Sequence, residues 1–420
     1  MKIDVKEFGR ECSCGQKHTI FVKDIFIEKN AIEKLPALLE SEGYSQYKNP
    51  LVICDENTFI AAGERVIAML GCGCIKLTSE NLHANEIAVG KVEKQLLQDI
   101  DLLIAVGSGT IHDITRYVAN EMKIPFISIP TAASVDGFVS TVAAMTWHGF
   151  KKSFSSSSPI CVVADSEIFS KAPYRLTASG ISDLLGKYTA LADWKISHIV
   201  TGEYLCQHIF DLTKDAVNMV ANSLDNIHAG KAEACEKLMY GLLLSGLAMQ
   251  MMGNSRPASG AEHHMSHLWE MEILNPIIEA YHGEKVSVGL RLAIYKYQQM
   301  KADIRAGKVH IIDKYNGLET EALQQSFGAK GMYETIVKEN APDPLARVDL
   351  KVLAEKLPEV LAVLDDLPSV KKIEGMLTSA KCVMTMKEIG LNEDLVERTL
   401  QLSPYIRNRL TFMRLIKLFV

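Results

Sequence analysis

The sequence predicts an α/β protein of two parts: a Rossmann-like N-terminal domain over residues 1–165 and an all-helical domain over residues 166–420. Three observations predict it. At 420 residues the chain exceeds the length at which a single hydrophobic core stops growing. Up to Asp165, short apolar runs alternate with amphipathic segments; beyond it the β-rich runs give way to helical periodicity.

In the first part, "LVICD" (Leu51 to Asp55), "DLLIAVG" (Asp101 to Gly107), "PFISIP" (Pro125 to Pro130) and "ICVVAD" (Ile160 to Asp165) read as strands. Their near-continuous Ile, Leu and Val content suits a parallel sheet covered on both faces. "AIEKLPALLESEG" and "NEIAVGKVEKQLLQDI" are helical in pattern and lie between them, which implies βαβ units and an open doubly wound sheet. "HGFKKSFSSSSP" is expected as a polar surface loop or β-hairpin tip. In the second part, "ISDLLGKYTALADWKI", "ACEKLMYGLLLSGLAMQMM" and "VSVGLRLAIYKYQQM" carry helical periodicity.

Composition narrows the function classes. With 48% hydrophobic and 23% charged residues the chain is not of the disordered type, and a formal net charge of -6 gives no electrostatic reason to expect nucleic acid as a partner. Nine cysteines, mostly single within apolar runs, fit reduced thiols in the cytoplasm. "MKIDVKEFGRECSCG" lacks the apolar stretch of a secretory signal. The longest uncharged run, "GLLLSGLAMQMMGNS", falls short of the ~20 apolar residues that span a bilayer. A soluble cytoplasmic protein without an integral membrane segment is expected.

In "LLIAVGSGTIHDITRYVANEM" a buried strand runs into Gly107, Ser108, Gly109 and Thr110 and then directly into a helix. Glycines let the backbone approach a pyrophosphate, and the N–H groups of the helix start supply donors. His112 stands where the GxGxxG fingerprint has its third glycine, so a plain strand-to-helix turn remains the alternative. Asp55 suits a ribose contact or a helix N-cap. In "SIPTAASVDGFVS", Thr131, Ser134, Asp136 and Ser140 cluster at a strand's carboxyl end, where ligands of open sheets bind; turn chemistry explains Ser134, Asp136 and Gly137 as well.

A metal set is also on offer. Asp183 occupies the opening turns of a helix in "TASGISDLLGKYTALADW". In "GAEHHMSHLWE", His263 and His267 share a helical face, whereas His264 is turned by roughly 100°. His282 follows in "AYHGEKVSVG", in a turn just before a helix. A carboxylate with two imidazoles suits Zn2+, Fe2+ or Ni2+ and leaves positions open for substrate. In "CSCGQKH", Cys12, Cys14 and His18 offer a grip for zinc, but the C-x-C spacing is shorter than that of zinc fingers and no fourth ligand follows nearby in sequence, so a plain turn with free thiols is the alternative; Cys72 and Cys74 of "CGC" raise the same question. The tail "PYIRNRLTFMRLIKLFV" reads as a docked C-terminal helix, with a membrane-surface helix as the alternative.

Taken together, "GSGTIHD", "PTAASVDGFVS", "SGISDLLGK", "RPASGAEHHMSH" and "HGEKV" resemble the sn-glycerol-1-phosphate dehydrogenases, in particular the bacterial AraM-like branch. That family belongs to the superfamily of glycerol dehydrogenase, iron-dependent alcohol dehydrogenases and 3-dehydroquinate synthase. "SGxEHxxSH" followed by "HGEKV" is the specific part. The resemblance implies a dehydroquinate synthase-like fold with the active site in the cleft between the NAD(P) domain and the helical domain. It implies Asp183, His263 and His282 as ligands of one divalent metal, Zn2+ or Ni2+ with Fe2+ as a third option. It makes Asp183, His263, His267 and His282 the catalytic set and directs Asp136, Asp183 and His267 to the substrate. Asp55, Gly107, Gly109, Thr110, Ile111, His112, Asp113, Thr131, Ala132, Ala133, Ser134 and Ser140 become contacts to NAD(H) or NADP(H).

The reaction so implied is reversible reduction of dihydroxyacetone phosphate, a phosphorylated triose, to sn-glycerol 1-phosphate by a homodimer. Lys187 and Arg256 are the basic groups nearest the motifs for the substrate phosphate. The rivals are a dehydrogenase of unphosphorylated glycerol or another polyol, a dehydroquinate synthase-like cyclase, and a nucleotide-binding sensor without turnover. The cyclase expects a glutamate first ligand and "GHTxGHAxE", where this chain has Asp183 and "EHHMSHLWE".

Overall fold

Eight strands form in the computed structural model, which describes residues 3–9, 11–148 and 150–420. They are β1 (Asp24–Glu28), β2 (Pro50–Asp55), β3 (Gly73–Leu77), β4 (Leu102–Gly107), β5 (Phe126–Pro130), β6 (Val142–Trp147), β7 (Phe150–Ser155) and β8 (Cys161–Asp165). Six make one parallel sheet in the order β1-β8-β5-β4-β2-β3. β6 and β7 pair as an antiparallel hairpin, the second of the two forms expected for the polar segment; Gly149 lies outside the described residues.

All four expected strands are present as β2, β4, β5 and β8, and every residue of β4, β5 and β8 is buried. β1 and β3 are additions at the two edges, where only alternate residues need to be apolar. The "CGC" segment is part of that edge: Cys74 belongs to β3, with its sulfur 3.5 Å from that of Cys54 on β2. Side chains alternate between two cores. Ile104 and Val106 of β4 pack with Val52, Ile127 and Val163 on one face; Leu103 and Ala105 pack with Ile53, Ile111, Ile114 and Val118 on the other. Each such buried aliphatic side chain contributes about 1.5–3 kcal/mol, so the sheet is held mainly by these two layers.

β2 leads outward to β3, while β4 returns to the other side of β2 and leads to β5. The chain direction across the sheet therefore reverses between β2 and β4. The register Ile53↔Ala105 brings their carboxyl ends, Asp55 and Gly107, side by side at this switch point.

By contacts the chain forms two compact units, residues 1–184 with 218–254 and residues 185–217 with 255–420. The helix Ala232–Met252 belongs to the sheet unit because Gly246 lies directly on the loop after β5: a Cβ there would sit 2.4 Å from Val139 Cγ2 and 2.7 Å from the Asp136 carbonyl oxygen. The second unit is built of helices, among them Lys187–Thr201, Ala261–Glu270, His282–Arg305 and Leu350–Asp365. Among the described residues no strand follows β8. The C-terminal tail differs from the single helix expected. It forms short turns at Phe412–Leu415 and Ile416–Leu418, pinned where buried Arg414 donates to Asn340 Oδ1 (2.7 Å), the Pro404 carbonyl (3.0 Å) and Asp343 (2.9 Å). Among the described residues no helix is long and apolar enough to cross a membrane.

Candidate cofactor and metal site

Within the sheet unit, β4 turns through Gly107 and the N-cap Ser108 into the helix Gly109–Met122. A Cβ on Gly107 would lie 2.5 Å from Ile111 Cβ, and one on Gly109 would lie 3.2 Å from Val135. The turn thus requires the first glycine, and the opening N–H groups of a four-turn helix, which lack intrahelical acceptors, suit an anion.

His112 is used differently from a third glycine. Its ring is buried, with Nδ1 2.8 Å from the Ser108 carbonyl and Nε2 2.7 Å from Ser128 Oγ. Burial pushes it down to about 3, a direction the Arg116 charge reinforces, so the ring is neutral. A carbonyl only accepts; hence Nδ1–H donates to Ser108 and Nε2 accepts from the Ser128 hydroxyl. The side chain is a strut between turn and sheet. Asp113 pairs with buried Arg116 (2.7 Å), whose guanidinium also donates to the carbonyls of Gly137, Phe138 (3.2 Å) and Val142 (3.3 Å). Asp55 caps the helix after β2: its Oδ1 accepts from the Thr58 N–H at 2.9 Å, and Thr58 Oγ1 accepts from the Asp55 N–H at 2.9 Å.

The loop after β5 is tied to the same turn by the Thr131 N–H, which donates to the Gly107 carbonyl (2.9 Å). Thr131, Ala132, Ala133, Ser134 and Ser140 are all buried, and Ser179 Oγ donates to the Ser134 carbonyl (3.2 Å). Asp136 and Asp183 are brought together: the Asp136 N–H donates to Asp183 Oδ2 at 2.9 Å, and Ser245 Oγ donates to Asp136 Oδ2 at 2.8 Å. Gly180, one turn before Asp183, makes this possible, because its Cα side faces the Ala133 carbonyl.

Within the helical unit, helices Ala261–Glu270 and His282–Arg305 pack closely across Gly289, where a Cβ would be 2.5 Å from the Glu262 carbonyl oxygen. That approach gathers three imidazoles. Ring centroids are 5.2 Å apart for His263 and His282, 6.0 Å for His267 and His282, and 6.3 Å for His263 and His267. His282 is the first residue of its helix rather than part of a preceding turn. His264 is fully buried, and neither of its ring nitrogens has a hydrogen-bond partner among the described residues.

Two carboxylates overlooked in the sequence hold these rings, and Lys285 pairs with one of them. Glu262, fully buried, lies 2.8 Å from His263 Nδ1 and accepts from the Gly260 N–H (2.7 Å) and the Thr189 hydroxyl. Burial alone would push its carboxyl up, but the donors and charge of His263, with Thr189 and Gly260, hold it below the usual range. His263 Nδ1–H is therefore the donor in that pair. Glu270 takes His267 Nδ1 at 3.0 Å and Lys285 Nζ at 2.8 Å, with His282 Nδ1 3.6 Å away. Burial pushes His267 down to about 3 against the pull of Glu270, so at neutral pH it donates through Nδ1 and presents Nε2 as an acceptor. The i, i+3 spacings His267–Glu270 and His282–Lys285 carried this signal in the sequence. Arg256, weighed for the substrate phosphate, is instead committed to a bidentate pair with Glu203 (2.9 Å from both Nε and Nη2) and to the carbonyls of Asp193 (3.1 Å) and Leu410 (2.8 Å). Lys187 is buried at the start of its helix.

Burial also keeps His264 well below its ordinary value of 6.5, with the charges of Arg409 and Arg407 adding to the shift. Below pH 6.5 the unfolded chain takes up protons at His112 and His264 that the folded chain refuses. Stability should therefore fall as pH drops from 6.5 towards 3, by about 1.4 kcal/mol per pH unit for His112, with His264 acting in the same direction. Urea midpoints compared at about pH 7 and about pH 5 measure this, and an unchanged midpoint would contradict it.

The fold is that of metal-type alcohol and glycerol dehydrogenases. An archaeal halo-thermophilic Red Sea brine pool alcohol dehydrogenase superposes with TM-score 0.61 at 15% identity, over 93% of this chain and 92% of that one. Glycerol dehydrogenase from Schizosaccharomyces pombe does so with TM-score 0.55 at 19% identity, over 96% and 97%. The sequence pattern of the family described as iron-containing alcohol dehydrogenase matches residues 26–173. The glycerol-1-phosphate dehydrogenase [NAD(P)+] of Geobacillus thermodenitrificans is 34% identical over 98% of this chain and 96% of its own. The chain belongs to the glycerol-1-phosphate dehydrogenase family.

Proposed function

We propose that this chain interconverts dihydroxyacetone phosphate and sn-glycerol 1-phosphate with NAD(P)H. The observation that carries this is the 34% identity, along nearly the whole of both chains, to a relative named for the activity. Residues 1–165 bind the dinucleotide, and residues 166–420 bind metal and substrate. Gly107, Gly109 and the residues from Thr110 to Asp113 cradle the pyrophosphate, Asp55 accepts from ribose hydroxyls, and the stretches 131–134 and Ser140 line the nicotinamide end.

Asp183, His263 and His282 hold the divalent metal. What supports this is their donor chemistry, one carboxylate and two imidazoles, with Glu262 fixing the His263 tautomer so that Nε2 is the ligand atom. When bound, a divalent cation supplies Lewis acidity at the substrate carbonyl and the nicotinamide supplies the hydride. His267, neutral and held by Glu270, accepts a hydrogen bond from a substrate hydroxyl through Nε2, and Asp136 orients a second polar group of the substrate. The enzyme works as a cytoplasmic homodimer on a small phosphorylated molecule.

The test is NADH oxidation by the purified protein with dihydroxyacetone phosphate and with dihydroxyacetone, before and after chelation. Turnover of the phosphate ester, lost on chelation and restored by Zn2+ or Ni2+, is expected. Preference for dihydroxyacetone would make it a polyol dehydrogenase, and cofactor binding without oxidation would make it a sensor.

A further inference from the structure

The N-terminal loop carries donors with no part in this chemistry. We infer that Cys12, Cys14 and His18 form a second metal site that holds a zinc ion.

The loop is shaped for it. Glu11 and Lys17 close it as an antiparallel bridge, and the Gly15 N–H donates to the Cys12 carbonyl at 2.9 Å. Gly15 adopts the left-handed conformation (φ 80°) that this tight turn needs. Cys14 Sγ then lies 3.4 Å from His18 Nε2. A tetrahedral zinc with Zn–S of about 2.3 Å and Zn–N of about 2.0–2.1 Å requires a sulfur–nitrogen separation of about 3.6 Å, so this pair is spaced as two ligands of one ion.

The imidazole is oriented for the role. His18 is buried, and its Nδ1 lies 2.8 Å from the Met251 carbonyl, which only accepts. Nδ1 therefore carries the proton, and the Nε2 lone pair is directed at the sulfur side, the outer-sphere arrangement common to metal-binding histidines. None of the cysteines is in a disulfide. Ligand atoms of Cys12, Cys14 and His18 lie within 4.8 Å of one another, close enough to share one ion. Two thiolates and one imidazole are ligand types of zinc, and soft thiolate ligands favour zinc over harder divalent ions. The Asp183, His263 and His282 set contains no sulfur, so the two sites are spectroscopically distinct.

The metal-depleted wild-type protein titrated with Co2+ tests this. A thiolate-to-cobalt charge-transfer band is expected, retained in His263→Ala and lost in Cys14→Ser. Zinc content by elemental analysis should fall by about one equivalent per chain in Cys12→Ser and in Cys14→Ser. The wild-type titration needs no variant: absence of the thiolate band there overturns the site and leaves a thiol–imidazole hydrogen bond as the account of the 3.4 Å contact.

Discussion

His263→Ala is expected to lose the catalytic metal and to lower turnover by about three orders of magnitude, since a cation polarising the reacting oxygen is worth several kcal/mol and each ~1.4 kcal/mol is a factor of ten. Loss should exceed that of an ordinary ligand truncation, because Glu262 remains behind, buried and ionised, with its imidazole partner gone. His264→Phe is the matched control. It sits next in sequence, turned about 100° around the helix, and an apolar ring of similar shape should keep both metal and turnover. Elemental analysis alongside NADH oxidation decides it; retention of metal in His263→Ala would remove this histidine from the ligand set.

Gly180→Ala should be as damaging without touching any ligand. The added Cβ would meet the Ala133 carbonyl oxygen at 2.0 Å and its carbon at 2.8 Å, and these are backbone atoms that cannot rotate away. Either the helix Tyr174–Leu185 shifts, carrying Asp183, or the loop from Thr131 to Asp136 does. A destabilisation of about 3 kcal/mol or more is expected, with a raised KM for the dinucleotide in whatever protein still folds. Gly375→Ala provides the contrast, since nothing lies within 4 Å of its added Cβ. That change should stabilise the protein by about 0.5–1 kcal/mol through helix propensity. Urea denaturation of the two variants side by side is the measurement, and equal midpoints would refute the close-approach account.

Much of the fold was legible because its central strands are buried on both faces and so read as unbroken apolar runs. β1, "DIFIE", and β3, "GCIKL", were not, since an edge strand needs only alternate apolar residues and five positions carry too little pattern. Helical periodicity separated His264 from His263 and His267, and the structure keeps that division. The i, i+3 spacing from His267 pointed to Glu270, but Glu262 gave no such signal, because a charged residue beside a histidine looks the same in sequence whether solvated or buried. His112 shows the converse. Its position in the glycine turn suggested a ligand-facing residue, and only packing against Ser128 and Phe138 reveals the ring as an internal support. Arg256 is a similar case, a cation near the motifs whose Nε and Nη2 are engaged by Glu203 and two carbonyls.

Arg116 joins the helix of the glycine turn to the carbonyls of Gly137, Phe138 and Val142, so the parts of the sheet unit assigned to the pyrophosphate and to the nicotinamide end share one frame. Asp55 is braced locally, by its own turn through Thr58. With the ribose role proposed for Asp55, nucleotide choice becomes a module that can be rewritten separately from the reacting end. Its constraint is architectural: a replacement at position 55 that sheds the charge must still cap a helix, which favours asparagine or serine over alanine.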